Sequence, residues 1–191
     1  GAHIANSRLG YSMDGGHDVD GDDLPDLAVG AWDWEEGAND TGAAWVVPGS
    51  WIASQTSQSA SQPPGAVQDL VPSGGSHRIS GLLDEEELGR SVALVPGLSG
   101  DRAGLAAGAS HASISGVYDS GGARIHEWIL GEGLDPQAWA ILAGESWDSR
   151  LGEFIAGGSL AGSPHVVVGG IRADGNTLDG GAAYLLDLGA L

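Results

Sequence analysis

The sequence predicts an all-β protein made of β-propeller blades, each a sheet of four antiparallel strands. Three observations lead to this prediction: short apolar runs separated by glycine-rich turns, 34 glycines among 191 residues, and a unit that recurs three times. Glycine at about 18%, against a typical 7%, favours many short strands over helices. Recurring four-stranded units bury their faces against one another, which is the principle of a propeller.

The repeated unit opens with the dipeptide "LG". It begins at Leu9, Leu88 and Leu151, and each copy places a small-residue triplet, "VGA", "AGA" or "VGG", after an apolar run. A glycine-led apolar strand follows each triplet, near Ala43, Ala123 and Ala182. We therefore interpret residues 1–191 as a single propeller segment, with repeats at approximately 9–87, 88–150 and 151–191 plus 1–8.

The fourth strands complete this division. They are predicted at "SHRIS" near Arg78 and at "AWAILAG" near Ile141. The third unit ends at "YLLDLGAL" without one, whereas the N-terminal "AHIANSRLG" resembles the fourth strand that precedes Leu151. We expect this N-terminal strand to complete the last blade. The Ser/Gln/Pro stretch "SWIASQTSQSASQPPG" is predicted to be an exposed insertion.

The first unit contains an aspartate-rich loop, "DVDGDDLPD". Carboxylates at alternate positions of a tight loop can converge on one hard cation, and Ca²⁺ takes six to eight oxygens. The predicted ligands are the side chains of Asp18, Asp20, Asp22 and Asp26 and the backbone carbonyl of Leu24. Gly21 permits the turn. Val29 stands where an EF-hand has its bidentate glutamate, so flanking helices are not expected. The alternative is a solvated acidic turn.

Composition excludes several classes of partner and activity. The 26 acidic residues against 7 basic ones give a net charge of −19, which argues against nucleic acid and anionic membrane surfaces. The apolar runs are too short for a membrane span, and cysteine is absent. Metalloprotease, nucleophile-elbow and P-loop motifs are absent, so no enzyme activity is predicted. The acidic run "LLDEEE", Leu82 to Glu87, is expected to be a solvated edge.

Each unit resembles the FG-GAP repeat, the blade of the integrin α-subunit β-propeller and of many bacterial surface proteins. The motif elements correspond to Leu9–Gly10, to the loop from Asp18 to Asp26, and to Gly30–Ala31–Trp32. The second and third units keep the glycines and apolar strands but lose the aspartates. The resemblance implies a structural Ca²⁺ that pins the hairpin between the first two strands, and a secreted or cell-surface location.

Tryptophan side chains are candidates for a ligand surface. Trp32 and Trp34 flank Asp33 in a connection that the resemblance places on the ligand-facing side, and Trp147 lies between a fourth and a first strand. These three are the candidate ligand-binding residues, with packing between blades as the alternative for Trp32. Trp45, Trp128 and Trp139 lie within strand runs and are predicted to be core residues.

Three blades cannot close a ring, since propellers have about four to eight blades. The chain is either part of a longer array, or pairs through a two-fold axis into six blades, or completes a neighbour with its N-terminal strand. We expect self-association, with strand complementation favoured. The predicted function is a calcium-stabilised extracellular module for adhesion, ligand binding or self-assembly. The alternatives are a carbohydrate-binding lectin propeller and a non-catalytic accessory domain of a secreted hydrolase.

Overall fold

The computed structural model describes residues 7–35, 40–58, 77–98, 103–173 and 180–190. These residues are nearly all in strands and turns. The strands are β1 (Ser12–His17), β2 (Asp26–Ala31), β3 (Ala43–Val47), β4 (Arg78–Ser80), β5 (Leu88–Val95), β6 (Gly104–Ala109), β7 (Gly122–Ile129), β8 (Gly133–Leu134), β9 (Ala140–Ala143), β10 (Leu151–Leu160), β11 (Ser163–Gly170) and β12 (Ala182–Asp187). A helix, α1 (Gly49–Gln58), follows β3, and a 3-10 turn (Leu188–Ala190) follows β12.

The strands form three antiparallel sheets that follow one another along the chain. Blade 1 has the order β1-β2-β3-β4, and blade 2 has the order β5-β6-β7-β9, with β8 pairing the far end of β7. Blade 3 contains β10-β11-β12. The all-β, propeller-like fold class is therefore confirmed, and so are the fourth strands near Arg78 and Ile141. The strand expected to complete blade 3 involves residues 1–6, which lie outside the described residues.

The blades pack face to face because each sheet carries apolar side chains on both sides. Between blades 1 and 2 the buried core includes Val46, Leu94, Leu105 and Trp128. Between blades 2 and 3 it includes Ile125, Val166 and Val168. The predicted core residues Trp45 and Trp128 are buried, and Trp139 packs against the second of these clusters. Burial of these faces is the main term that holds the blades together.

Hydrogen bonds also join neighbouring blades at the "LG" dipeptides. Ser12 Oγ donates to the carbonyl of Gly89 at 2.8 Å, and Ser91 Oγ donates to the carbonyl of Gly152 at 2.7 Å. The blades approach so closely here that a Cβ on Gly30 would lie 2.1 Å from the Gly89 oxygen. The glycine of "VGA" is therefore required by the contact between sheets rather than by a turn.

Only part of the predicted exposed insertion is described, since its residues 59–65 lie outside the described ranges, and Ser50, Ala53 and Ser54 within it are exposed. Residues 49–58 form α1, and the side chains of Trp51 and Ile52 pack on the blade 1 cluster that contains Trp45. The helix therefore covers the face of blade 1 that points away from blade 2. The sequence pattern does not predict this helix, because the two apolar residues that anchor it are too few to produce a helical periodicity.

The acidic run before β5 differs from its prediction at one residue, since residues 82–85 are exposed as expected. Glu86 is fully buried rather than solvated. Its Oε2 accepts hydrogen bonds from the amides of Leu82 at 2.7 Å and Leu83 at 3.1 Å, and its Oε1 lies 2.5 Å from Nη2 of Arg124. Its neighbour Glu85 is exposed, as predicted. Glu86 closes the turn that leads into blade 2 and neutralises a partly buried arginine of β7.

Candidate metal centre

The aspartate-rich loop connects β1 to β2 in blade 1. Gly21 and Asp23 have φ angles of 82° and 66°, so the chain passes twice through the left-handed region within three residues. Glycine adopts this conformation without strain, and aspartate is among the side chains that tolerate it best. The tight turn predicted at Gly21 is therefore present, and it brings alternate side chains toward one point.

Three carboxylates converge in this loop. One oxygen from each of Asp18, Asp20 and Asp22 lies within 4.8 Å of the others. Two oxygens that ligate one Ca²⁺ at about 2.3–2.6 Å are separated by at most about 5 Å, so this spacing fits a shared cation. Within the described part of the chain, no other group of three acidic or histidine side chains comes together in this way. The chemistry of the donors, all hard oxygens, favours Ca²⁺ or Mg²⁺ over softer metals.

The backbone of the loop holds the three side chains in place. Asp18 accepts hydrogen bonds from the amides of Gly21 at 2.7 Å and Asp23 at 2.8 Å, through different carboxylate oxygens. Asp20 Oδ1 accepts from the amide of Asp22 at 3.1 Å, and Asp22 Oδ1 accepts from the amide of Leu24 at 2.8 Å. A carboxylate has about four lone-pair sites, so each side chain keeps acceptor capacity for a cation.

Asp26, a further predicted ligand, lies behind the three converging carboxylates. It is buried, and its Oδ2 accepts from the amides of Val19 at 2.6 Å and Asp20 at 3.3 Å. Its Oδ1 accepts from the amide of Gly49 at 2.8 Å. Burial raises the pKa of Asp26, although the three amide hydrogen bonds oppose that rise. In this geometry Asp26 organises the loop, and its ligation of a cation stays a prediction.

Leu24 was predicted to contribute its backbone carbonyl. Its amide is bonded to Asp22, and its exposed side chain lies next to α1, since a Cβ on Gly49 would be 2.7 Å from the Leu24 Cβ. No hydrogen bond in the described residues assigns the carbonyl. Ligation by the Leu24 oxygen therefore also stays a prediction.

The N-terminus of α1 meets this loop, which the sequence analysis missed. The amide of Gly49 donates to Asp26, and the amide of Ser50 donates to Asp22 Oδ2 at 3.2 Å. The first amides of a helix have no partner within it, and its dipole places partial positive charge at this end. The N-terminus of α1 thus neutralises part of the negative charge of Asp22 and Asp26. A proline and a serine at 48 and 50 were a weak sign of a helix start.

The pKa values of Asp20 and Asp22 are shifted in opposite directions. Burial, followed by the charges of Asp26 and Asp22, raises the pKa of Asp20 to about 6. A hydrogen bond from the Ser50 side chain, assisted by the Leu24 amide, lowers the pKa of Asp22. A carboxyl group with a raised pKa among other carboxylates is the arrangement that a bound cation relieves, because the cation favours the ionised form.

The loop also contacts the neighbouring blade. Val19 is buried in the core between blades 1 and 2, in the cluster that contains Trp128 and Leu134. On its open side, Asp20 and Gly21 line a cleft of about 610 Å³ together with Leu130 of blade 2. The conformation of the loop is therefore coupled to the packing of the two blades, although its three carboxylates face solvent or are only half-buried.

The predicted ligand-binding tryptophans lie in different surroundings. Trp34 packs edge-on against Trp45, with ring centroids 5.0 Å apart. Trp32 makes an edge contact with Tyr11 at 5.9 Å, and the guanidinium of Arg90 lies 5.1 Å from its ring. Trp147 is 69% exposed, in the connection from β9 to β10.

A comparison with protein families identifies the first repeat. Residues 9–47 match the family model described as FG-GAP repeat, which spans β1, the aspartate loop, β2 and β3. The resemblance expected from "LG" and the aspartates is thus confirmed for this segment. No curated protein matches the chain. No helix in the described ranges is long and apolar enough to cross a membrane.

Proposed function

We propose that this chain is a calcium-stabilised extracellular module that serves adhesion, ligand binding or assembly at a surface. The observation that carries the proposal is the convergence of Asp18, Asp20 and Asp22 within 4.8 Å in a segment that matches the FG-GAP repeat. FG-GAP repeats are often calcium-binding and are typical of extracellular proteins. The predicted location is accordingly secreted or at the cell surface.

The role of the ion is structural. A cation held by the three carboxylates ties β1 to β2, and through Asp22 and Ser50 it also fixes the N-terminus of α1. Val19, in the same loop, is buried against blade 2. Ion binding therefore stabilises both the hairpin and the seam between two blades, as expected when a ligand binds the folded state alone.

An extracellular location follows from the expected affinity. Exposed loops with few fixed ligands bind Ca²⁺ at about 10⁻⁴–10⁻³ M, which is the range of extracellular modules. At such an affinity the loop is filled outside a cell and mostly empty inside one. The net charge of −19 disfavours nucleic acid and anionic lipid as partners.

Thermal unfolding with Ca²⁺ and with a chelator tests the proposal. We expect Ca²⁺ to raise the melting temperature, and Asp20→Asn to abolish that rise. Asp23→Asn is the matched control, because it removes one negative charge from the same loop without touching the three converging carboxylates. If the melting temperature is the same with and without Ca²⁺, or if both variants behave alike, the metal centre is absent.

Trp147 supports a second candidate, carbohydrate binding. Its ring is exposed, and a cleft of about 230 Å³ nearby is lined by Glu145, Ser146 and Ser149, side chains that can hydrogen-bond sugar hydroxyls. A glycan array with the native chain and Trp147→Ala tests this candidate. Loss of a saccharide signal in the variant supports a lectin, and absence of any signal for the native chain contradicts it. An accessory role beside a secreted hydrolase remains the other alternative.

A further inference from the structure

The face of blade 3 that points away from blade 2 is apolar and exposed. We call this surface the outer face of blade 3, and it consists of Phe154, Ala156, Val167, Gly169, Ala183 and Leu185. The side chains that alternate with them, such as Val166 and Val168, are buried against blade 2. Phe154 and Leu185 are 64% and 58% exposed. Val167, which lies on the central strand β11, is also 39% exposed.

The equivalent positions of the other two blades are buried. Strand register places Val167 where blade 1 has Ala28 and blade 2 has Ala106, both of which are fully buried. Leu185 corresponds in the same way to Val46 and Ile125, again both buried. In blades 1 and 2 the next blade covers these positions. The outer face of blade 3 is thus built as a packing surface, but no described residue covers it.

The outer face of blade 3 is also free of charge, in a chain with 26 acidic and 7 basic residues. The nearest acidic side chain in the strand rows is Asp187, one row further along, where His165 lies 3.9 Å away. A surface without charge on so acidic a protein is where a second equally acidic molecule can approach with least repulsion.

Phe154 excludes a fourth blade packed like the others. It pairs with Gly169 of β11 and occupies the register position that Ser12 and Ser91 have in blades 1 and 2. Those two serines donate to a glycine carbonyl of the next blade at 2.8 Å and 2.7 Å. A phenyl ring at this position overlaps the place of that carbonyl. The partner of this face is therefore not a further blade in the same pose.

Head-to-tail stacking of two copies is excluded as well. It would require the outer face of blade 3 to meet the opposite end of another copy, which is blade 1. That end is covered by Trp51 and Ile52 of α1 together with Trp34. Two copies can meet through the outer face of blade 3 only if each contributes the same face, which requires a two-fold axis.

The pattern of side-chain sizes fits such an axis. One row across the sheet is Phe154–Gly169–Ala183, and the next row is Ala156–Val167–Leu185. A two-fold axis parallel to β11 places β10 of one copy over β12 of its partner at the same height. Large side chains then meet small ones in both rows: Phe154 lies over Ala183, and Leu185 lies over Ala156. On the axis, Gly169 of one copy meets Gly169 of the other, and Val167 meets Val167.

We propose that two copies of this chain associate through the outer face of blade 3, around a two-fold axis parallel to β11. The arrangement buries both apolar faces in an aligned sheet packing and leaves α1 at the two far ends. This inference deepens the assembly part of the proposed function. It rests on blade 3, whereas the metal centre lies in blade 1, so each can fail without the other.

Light scattering measures the assembly directly. We expect the native chain to have the mass of two chains, both in Ca²⁺ and in chelator below the melting temperature. Leu185→Asp should halve the mass, because it places a carboxylate in the apolar contact. Leu82→Asp is the matched control: it adds the same charge at another exposed leucine, and it should leave the mass unchanged. A native chain that is monomeric, or a Leu185→Asp variant that stays dimeric, overturns the proposal.

Two further variants separate a lost interface from a lost fold. Phe154→Ser restores the residue type found in blades 1 and 2, and it should also halve the mass while the circular dichroism spectrum is unchanged. Since the chain has no cysteine, Val167→Cys introduces a single thiol on the axis. A bifunctional maleimide that spans sheets about 10 Å apart should cross-link it, but not Leu82→Cys. Equal cross-linking of both variants, or of neither, contradicts the two-fold contact.

Discussion

The carboxylate of Asp26 accepts a hydrogen bond at 2.8 Å from the backbone amide of Gly49, the first residue of α1. This contact connects the aspartate loop to a helix that begins 23 residues later in the chain. Asp26 also holds the amides of Val19 and Asp20, so one buried side chain fixes the loop at one end and the helix at the other. Asp26 therefore links the aspartate loop of blade 1 to the N-terminus of α1.

Replacing Asp26 by alanine should destabilise the fold even without a cation. Three amides lose a charged acceptor, and those of Val19 and Gly49 are left buried. We expect a loss of about 3 kcal/mol in the free energy of unfolding. Urea denaturation in the presence of chelator measures it. Asp23→Asn in the same loop should change the stability by less than about 0.5 kcal/mol. Equal losses for the two variants would contradict the role assigned to Asp26.

Glu86 should behave quite differently from its neighbour. Glu86→Gln removes the buried charge that pairs with the partly buried guanidinium of Arg124, and we expect the free energy of unfolding to fall by about 3 kcal/mol. Glu85→Gln makes the same chemical change at an exposed position. Its effect should be within about 0.5 kcal/mol. The midpoints of urea unfolding for the two variants provide the comparison, and similar midpoints would mean that Glu86 is solvated after all.

Ser91, which lies between blades 2 and 3, should contribute measurably to the free energy of unfolding. Ser91→Ala removes a buried hydrogen bond to the carbonyl of Gly152, which costs about 1 kcal/mol. Ser159→Ala, at an exposed position of β10, is the control. Chemical denaturation of both variants tests this expectation. A stability of Ser91→Ala equal to that of the control would show that apolar burial alone holds blades 2 and 3 together.

The contact between His111 and Glu87 should make the stability depend on pH. Nδ1 of His111 donates a hydrogen bond to Oε2 of Glu87 at 2.8 Å, and this contact raises the pKa of the histidine above its usual 6.5. The folded state therefore binds a proton more tightly than the unfolded state. The resulting stabilisation is complete below about pH 6.5 and is lost as the pH rises through the raised pKa.

His111→Gln tests this dependence. The difference in unfolding free energy between the native chain and the variant should be on the order of 1 kcal/mol at pH 6 and smaller at pH 8. Urea unfolding at the two pH values measures it. A difference that is independent of pH would mean that the histidine contributes by packing rather than through its charge.

Local sequence pattern accounts for the blades and for the position of the aspartate cluster. The "LG" openings, the small-residue triplets and the apolar runs between glycine-rich turns locate the strands, since each is a feature of a few consecutive residues. The spacing of Asp18, Asp20 and Asp22 within one tight turn likewise depends on neighbouring residues alone. These parts of the structure could therefore be predicted without knowing what packs against them.

Tertiary structure decided which polar groups are buried and which faces are covered. Glu85 and Glu86 are adjacent residues of the same type. Only Glu86 contacts Arg124, because β7 of blade 2 places that arginine beside it. The polar stretch after β3 becomes a helix because blade 1 offers an apolar face to Trp51 and Ile52. Val167 and Ala28 occupy the same register position, but one is exposed and the other is buried. Burial depends on the partner that another part of the chain supplies, and a local pattern does not contain that partner.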